Sequence, residues 1–87
     1  MEHYLYLEVS EAGNTFPFAI TANGAVMAQS SSCKSKQEVA ITMRNFLRGL
    51  WRRGHISGKE FLVIRDAEVN QAWHQMMADG GAERPGS

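Results

Sequence analysis

Eighty-seven residues, 44% hydrophobic and 21% charged, suit one ordinary globular domain and exclude a disordered chain or a pair of domains. A chain this short buries only about 60–65% of its unfolded surface. Its single cysteine cannot staple it internally, so self-association is the remaining source of burial. The formal net charge is zero, yet seven of the nine Lys and Arg residues lie between Lys34 and Lys59, where Glu38 is the only acid. No apolar run reaches the roughly 18 residues of a membrane span. The opening "MEHYLYLEVSE" has neither the basic start nor the long apolar core of a signal peptide, so a cytoplasmic protein without a membrane partner is expected.

"HYLYLEV" alternates Tyr4, Tyr6 and Glu8 with Leu5, Leu7 and Val9, the period of a half-buried strand. Ser10 to Asn14 form a turn cluster around Gly13, and "TFPFAIT" alternates again. Pro17 conflicts with a central strand, so either regular pairing begins after it or the chain bulges there. Asn23-Gly24 predicts a two-residue hairpin, because both residues tolerate the positive φ of a type I′ turn. That register pairs Ala22 with Ala25, Ile20 with Met27 and Phe18 with Gln29. It places Phe16, Phe18, Ile20 and Met27 on one face, and Thr15, Pro17, Ala19, Thr21, Val26, Ala28 and Ser30 on the other.

Ser35 and Glu38 form an S-x-x-E capping box at a helix start. Val39, Met43, Phe46 and Leu50 follow at helical spacing, flanked by Ala40 and Leu47, while Arg44, Arg48 and Arg52 stack opposite. Gly54 suits the C-terminal cap. "EFLVIR" (Glu60 to Arg65) reads as a fourth strand, and Asp66 caps a second helix carrying Val69, Ala72, Trp73, Met76 and Met77. The expectation is one α+β domain over residues 1–79, with a small antiparallel sheet in β-β-β-α-β-α order and both helices on one face. "GGAERPGS" (residues 80–87) reads as a flexible tail.

The run from Tyr6 to about Arg48 contains "FPF", "ANGAVMAQS" and "KSKQEVAITMRNFL". In that order it resembles the YegP-like family of small bacterial domains, which read as an aromatic–x–aromatic strand, an Asn-Gly turn, a strand ending in serine and an "SK" helix start. Members often carry two such repeats side by side, whereas this chain carries one. Pro17 and everything after Gly54 depart from the pattern. The resemblance implies the fold of this half and pairing between repeats. It implies no catalytic residue, because the family has no established reaction.

Cys33 sits in the junction between the hairpin's end and a helix start, and Lys34, Lys36 and the helix N-terminus would all favour its thiolate. A nucleophile also needs a base, and none of His3, His55 and His74 has a sequence link to it. A small residue at a strand exit is the stronger reading. The histidines lack ligand spacing, and "GHISGK" is one residue short of a phosphate loop and follows a helix instead of a strand. Hence no catalytic residue, metal or cofactor is expected.

Two surfaces remain. Arg44, Arg48 and Arg52, with Arg53, Lys59 and Trp51 near the helix end, could take phosphates and stack a base; a solvated helix face is the plainer alternative. The sheet face bearing Tyr4, Tyr6, Thr21, Val26 and Ala28 has no expected cover and suits association, although antiparallel sheets also leave one face wet. The leading expectation is a small non-enzymatic interaction protein that forms a homodimer. The second is a nucleic-acid-binding accessory protein, and the third an antitoxin-like or inhibitor-like partner of another protein.

Overall fold

The computed structural model describes residues 4–79. His3 and the expected tail at 80–87 lie outside the described residues. The elements run β1 (Tyr4–Val9), β2 (Phe18–Ala22), β3 (Ala25–Ser30), α1 (Lys36–Arg52), β4 (Phe61–Ile64) and α2 (Ala67–Ala78). The α+β class and the β-β-β-α-β-α order are as expected. The sheet is not purely antiparallel, however. Its order is β3-β2-β1-β4, and β4 lies parallel to β1. The chain leaves β3 at one edge, crosses through α1, and returns at the far edge in the same direction, as parallel strands require.

The hairpin turn forms at Asn23 (φ 53°) and Gly24 (φ 80°), and Ala22 pairs with Ala25 as the turn dictates. Beyond Thr21↔Val26 the register slips by one residue. Ile20 pairs with Ala28 and Phe18 with Ser30, in place of the expected Met27 and Gln29. Met27 is the extra residue of a bulge. The bulge turns Ala28 to the core side, where it packs half-buried beside Ile20, so Ala28 leaves the face that an unbroken register gives it. The proline conflict resolves without a bulge: β2 begins at Phe18, and Pro17 contributes only its carbonyl, which accepts from the Ser10 amide at 2.9 Å.

Helix α1 starts as its capping residues require. The Ser35 hydroxyl accepts from the Glu38 amide at 3.0 Å. The Glu38 carboxylate reaches back to the Lys34 amide (3.3 Å) instead of that of Ser35, so the box closes one residue early. At the other end Gly54 takes φ 78°, its amide donates to the Trp51 carbonyl, and the His55 amide donates to Leu50 at 2.9 Å. This pair of bonds is a Schellman motif, which needs a left-handed residue where glycine stands.

One core joins the sheet to both helices. Leu5 and Leu7 of β1, Phe18 and Ile20 of β2, Val39, Met43, Leu47 and Leu50 of α1, Ile56, and Val69 of α2 are all buried in it. Lys36 in the first turn of α1 bridges to Asp66 (3.0 Å) and Glu68 (3.1 Å) at the start of α2, which ties the two helix starts together. Partial burial pushes the Asp66 carboxyl up. The Val69 amide that it caps and the Lys36 ammonium outweigh this and hold it below its ordinary range. The Asp66 contact raises Lys36 in turn. Stability from Asp66 is therefore present above its unfolded pKa and lost as pH falls through the depressed one.

Candidate interaction surfaces

Both helices lie on one side of the sheet, and the strand registers define what the other side carries. Val63, Tyr6, Thr21 and Val26 stand opposite one another in turn, making a row that crosses all four strands. Beside it Tyr4 faces Phe61, with ring centroids 5.5 Å apart, and Tyr4 stacks on Tyr6 at 6.2 Å. The Arg65 guanidinium lies over the Tyr6 ring, 4.8 Å from its centroid, a cation–π contact. Phe61 is 58% exposed, Val26 57% and Tyr4 38%. Large apolar side chains this open, gathered on one face, are the kind of surface that protein contacts use.

Of the five residues expected on this face, Tyr4, Tyr6, Thr21 and Val26 share it, and Ala28 does not. Phe61, Val63 and Arg65 join them and were missed. The signal that could have found them is the period-2 pattern of "FLVIR", but that pattern has meaning only once β4 is known to lie beside β1.

The arginine row is less open than the helical wheel suggests. Arg44 and Arg48 are half-buried, and Arg52 is exposed. The Arg44 Nε is itself buried and has no hydrogen-bond partner among the described residues. On one flank of α1, Gln37, Ala40 and Ile41 border a crevice with Ala72, Gln75 and Met76 of α2. Arg44 follows Ala40 by one turn on that same flank. Arg53 is exposed, but its Nε donates to the Gly49 carbonyl at 3.2 Å and helps close the helix. Trp51 is 38% exposed and Lys59 is exposed, so the open cationic ground is the end of α1 and the loop after it.

That loop holds no phosphate site. The amides of Ser57 and Gly58 and the Ser57 hydroxyl all donate to the Glu60 carboxylate, at 2.9, 2.9 and 3.2 Å. Partial burial pushes this carboxyl up, and these donors outweigh it, so it sits below its ordinary range. The anion of the loop is its own side chain.

Cys33 is fully buried, with its Sγ 3.6 Å from the Thr42 hydroxyl and its carbonyl accepting from the Phe16 amide. A shallow open depression of about 700 Å³ at the far end of the hairpin is bordered by Glu8, Pro17, Phe18, Gln29 and Ser30. Among the described residues, Glu8 is the sole ionisable side chain lining it. Among the described residues, no three His, Cys, Asp or Glu side chains group where a metal ion could be held. No described helix is long and apolar enough to cross a membrane.

No family model, curated protein or solved structure matches this chain. The resemblance to YegP-like domains therefore rests on its motifs alone.

Proposed function

We propose that this protein is a small, non-enzymatic, cytoplasmic interaction module that works as a homodimer. The observation that carries the reading is the uncovered row Val63–Tyr6–Thr21–Val26 with Phe61 and Tyr4 beside it. Aromatic side chains supply large contact area and dominate the energetics of such surfaces. Association also adds burial that a chain of this length lacks. The YegP-like resemblance adds that two copies would supply the two repeats that members of that family often join in one chain. The non-enzymatic part of the reading is supported by a thiol without access and a cleft carboxylate without a second acid or base. The test is the mass in solution. A dimer supports the reading, and a monomer at about 100 μM, where a dimer with Kd near 10 μM would be largely formed, removes it.

The second reading, nucleic-acid binding, is favoured by Arg52, Arg53 and Lys59, all exposed near the half-open Trp51. Phosphate contacts release counterions, so affinity for duplex DNA falls with salt at a log–log slope of about 0.9 per contact. Substituting Arg44, Arg48 and Arg52 together with Gln keeps helix propensity nearly unchanged. If all three made phosphate contacts, the slope would shrink by roughly three. With Arg44 and Arg48 half-covered by the fold, the expected change is nearer one, and absence of binding at about 50 mM salt would dismiss this reading.

A further inference from the structure

We infer that the two copies join through the free edge of β4, about a two-fold axis at Val63, in one sheet continuous from β3 of one copy to β3 of the other. The inference rests on the homodimer reading and places its contact at the β4 end of the aromatic face, around Phe61, Val63 and Arg65, leaving Thr21 and Val26 uncovered.

A four-stranded open sheet has two edges, and here they differ. The β3 edge is interrupted by the bulge at Met27, a device that twists an edge strand away from further pairing. The β4 edge, "FLVI", carries no bulge, proline or charge. The Arg65 amide donates to the Leu7 carbonyl at 3.0 Å, and Val63 pairs with Tyr6. In a parallel ladder alternate residues turn both backbone groups toward the partner strand. Val63 and Arg65 therefore face β1, and Leu62 and Ile64 direct their amides and carbonyls outward.

A second copy running antiparallel along this edge fits one register best. Residues opposite each other must share a face, so the axis passes through Leu62 or through Val63. An axis at Leu62 would set Arg65 of each copy against Lys59 of the other, two like charges. With the axis at Val63, Leu62 of each copy exchanges both backbone hydrogen bonds with Ile64 of the other. On the open face this register sets Arg65 against Phe61 of the second copy, an exposed guanidinium meeting an exposed ring. On the core side it sets Leu62 against Ile64, both of which already pack on the core. At the ends Glu60 meets Asp66. These are like charges, and the Lys36 ammonium beside Asp66 offsets part of their repulsion.

A four-residue edge alone falls short of the roughly 1,000 Å² that a stable interface buries, so helix contact has to supply more. Ala72 and Met76 of α2 border the crevice with α1. One residue on, about 100° around the helix, Trp73 and Met77 are both half-buried, and Trp73 packs against the core. The inferred dimer therefore also requires contact between the α2 helices of the two copies.

A cysteine at the axis tests the arrangement. Directly opposed residues of a non-hydrogen-bonded antiparallel pair have Cα atoms about 4.5 Å apart, within the range a disulfide accepts. The native Cys33 is fully buried and does not compete. Val63→Cys under mild oxidation should run as a covalent dimer on a non-reducing gel, while Thr21→Cys in the central sheet and Val26→Cys at the bulged edge stay monomeric. Linkage of all three alike reports random collision and overturns the inference. Val63→Lys, which sets a charge on the edge, should sediment as a monomer with unchanged circular dichroism; a retained dimer overturns the inference. If the wild type is a dimer and Val26→Cys links while Val63→Cys does not, this edge is wrong and the homodimer reading stands. A monomeric wild type without Val63→Cys linkage overturns both.

Discussion

Leu7→Ala is expected to lower stability by about 3–5 kcal/mol, a large part of what so short a domain has. Leu7 is fully buried in β1, the strand flanked by β2 and β4, and faces Ile20 on one side and Ile64 on the other. Its removal leaves a cavity where three strands and a helix meet, and such a site cannot collapse easily. A domain of this length has only about 4–13 kcal/mol in total, at about 0.05–0.15 per residue. Val26→Ala, at an exposed position on the other face, should stay within about 0.5 kcal/mol of wild type. Urea denaturation compares the two, and a Leu7→Ala loss below about 1 kcal/mol would contradict the assigned core face.

The Cys33 thiol should be almost inert in the native protein. It is fully buried, and the Phe16 amide bonded to its carbonyl holds the β3–α1 junction closed over it. A disulfide reagent can reach it only through an opening of the fold. If that opening costs about 5 kcal/mol, labelling slows by more than about 10³-fold relative to the chain in urea, since 1.4 kcal/mol is a factor of ten. Full labelling at the urea rate in native buffer would return Cys33 to the list of candidate sites. Cys33→Ser should keep the fold and the association, because Thr42 remains a partner for the new hydroxyl. Its cost is about 1–3 kcal/mol for a polar group placed in an apolar site.

What could be read from the chain was local. Alternation in "HYLYLEV" assigned the two faces of β1 correctly, and Asn23-Gly24 located the hairpin and its first pair. Ser35, Gly54 and Asp66 marked helix ends because each supplies or permits a specific backbone bond. The bulge was not readable: Met27 and Ala28 are both apolar, so the pattern accepts either register. The place of β4 was not readable either, because the crossover through α1 could end beside β3 or beyond β1, and no residue of "FLVI" distinguishes them. That gap hid Phe61, Val63 and Arg65 from the candidate surface. The arginine row was misjudged for a similar reason, since a wheel drawn for α1 alone cannot show how much of Arg44 and Arg48 the rest of the fold covers.

Sedimentation velocity over a concentration series from about 1 to 100 μM, a span that brackets a Kd near 10 μM, tests self-association most directly. Wild type should shift from monomer toward dimer across the series, and Phe61→Lys, which sets a like charge against the Arg65 of the second copy within the 58%-exposed aromatic patch, should remain monomeric with an unchanged fold. A wild type that stays monomeric throughout, or a Phe61→Lys variant that dimerises as well as wild type, would contradict the assignment of this surface to self-association.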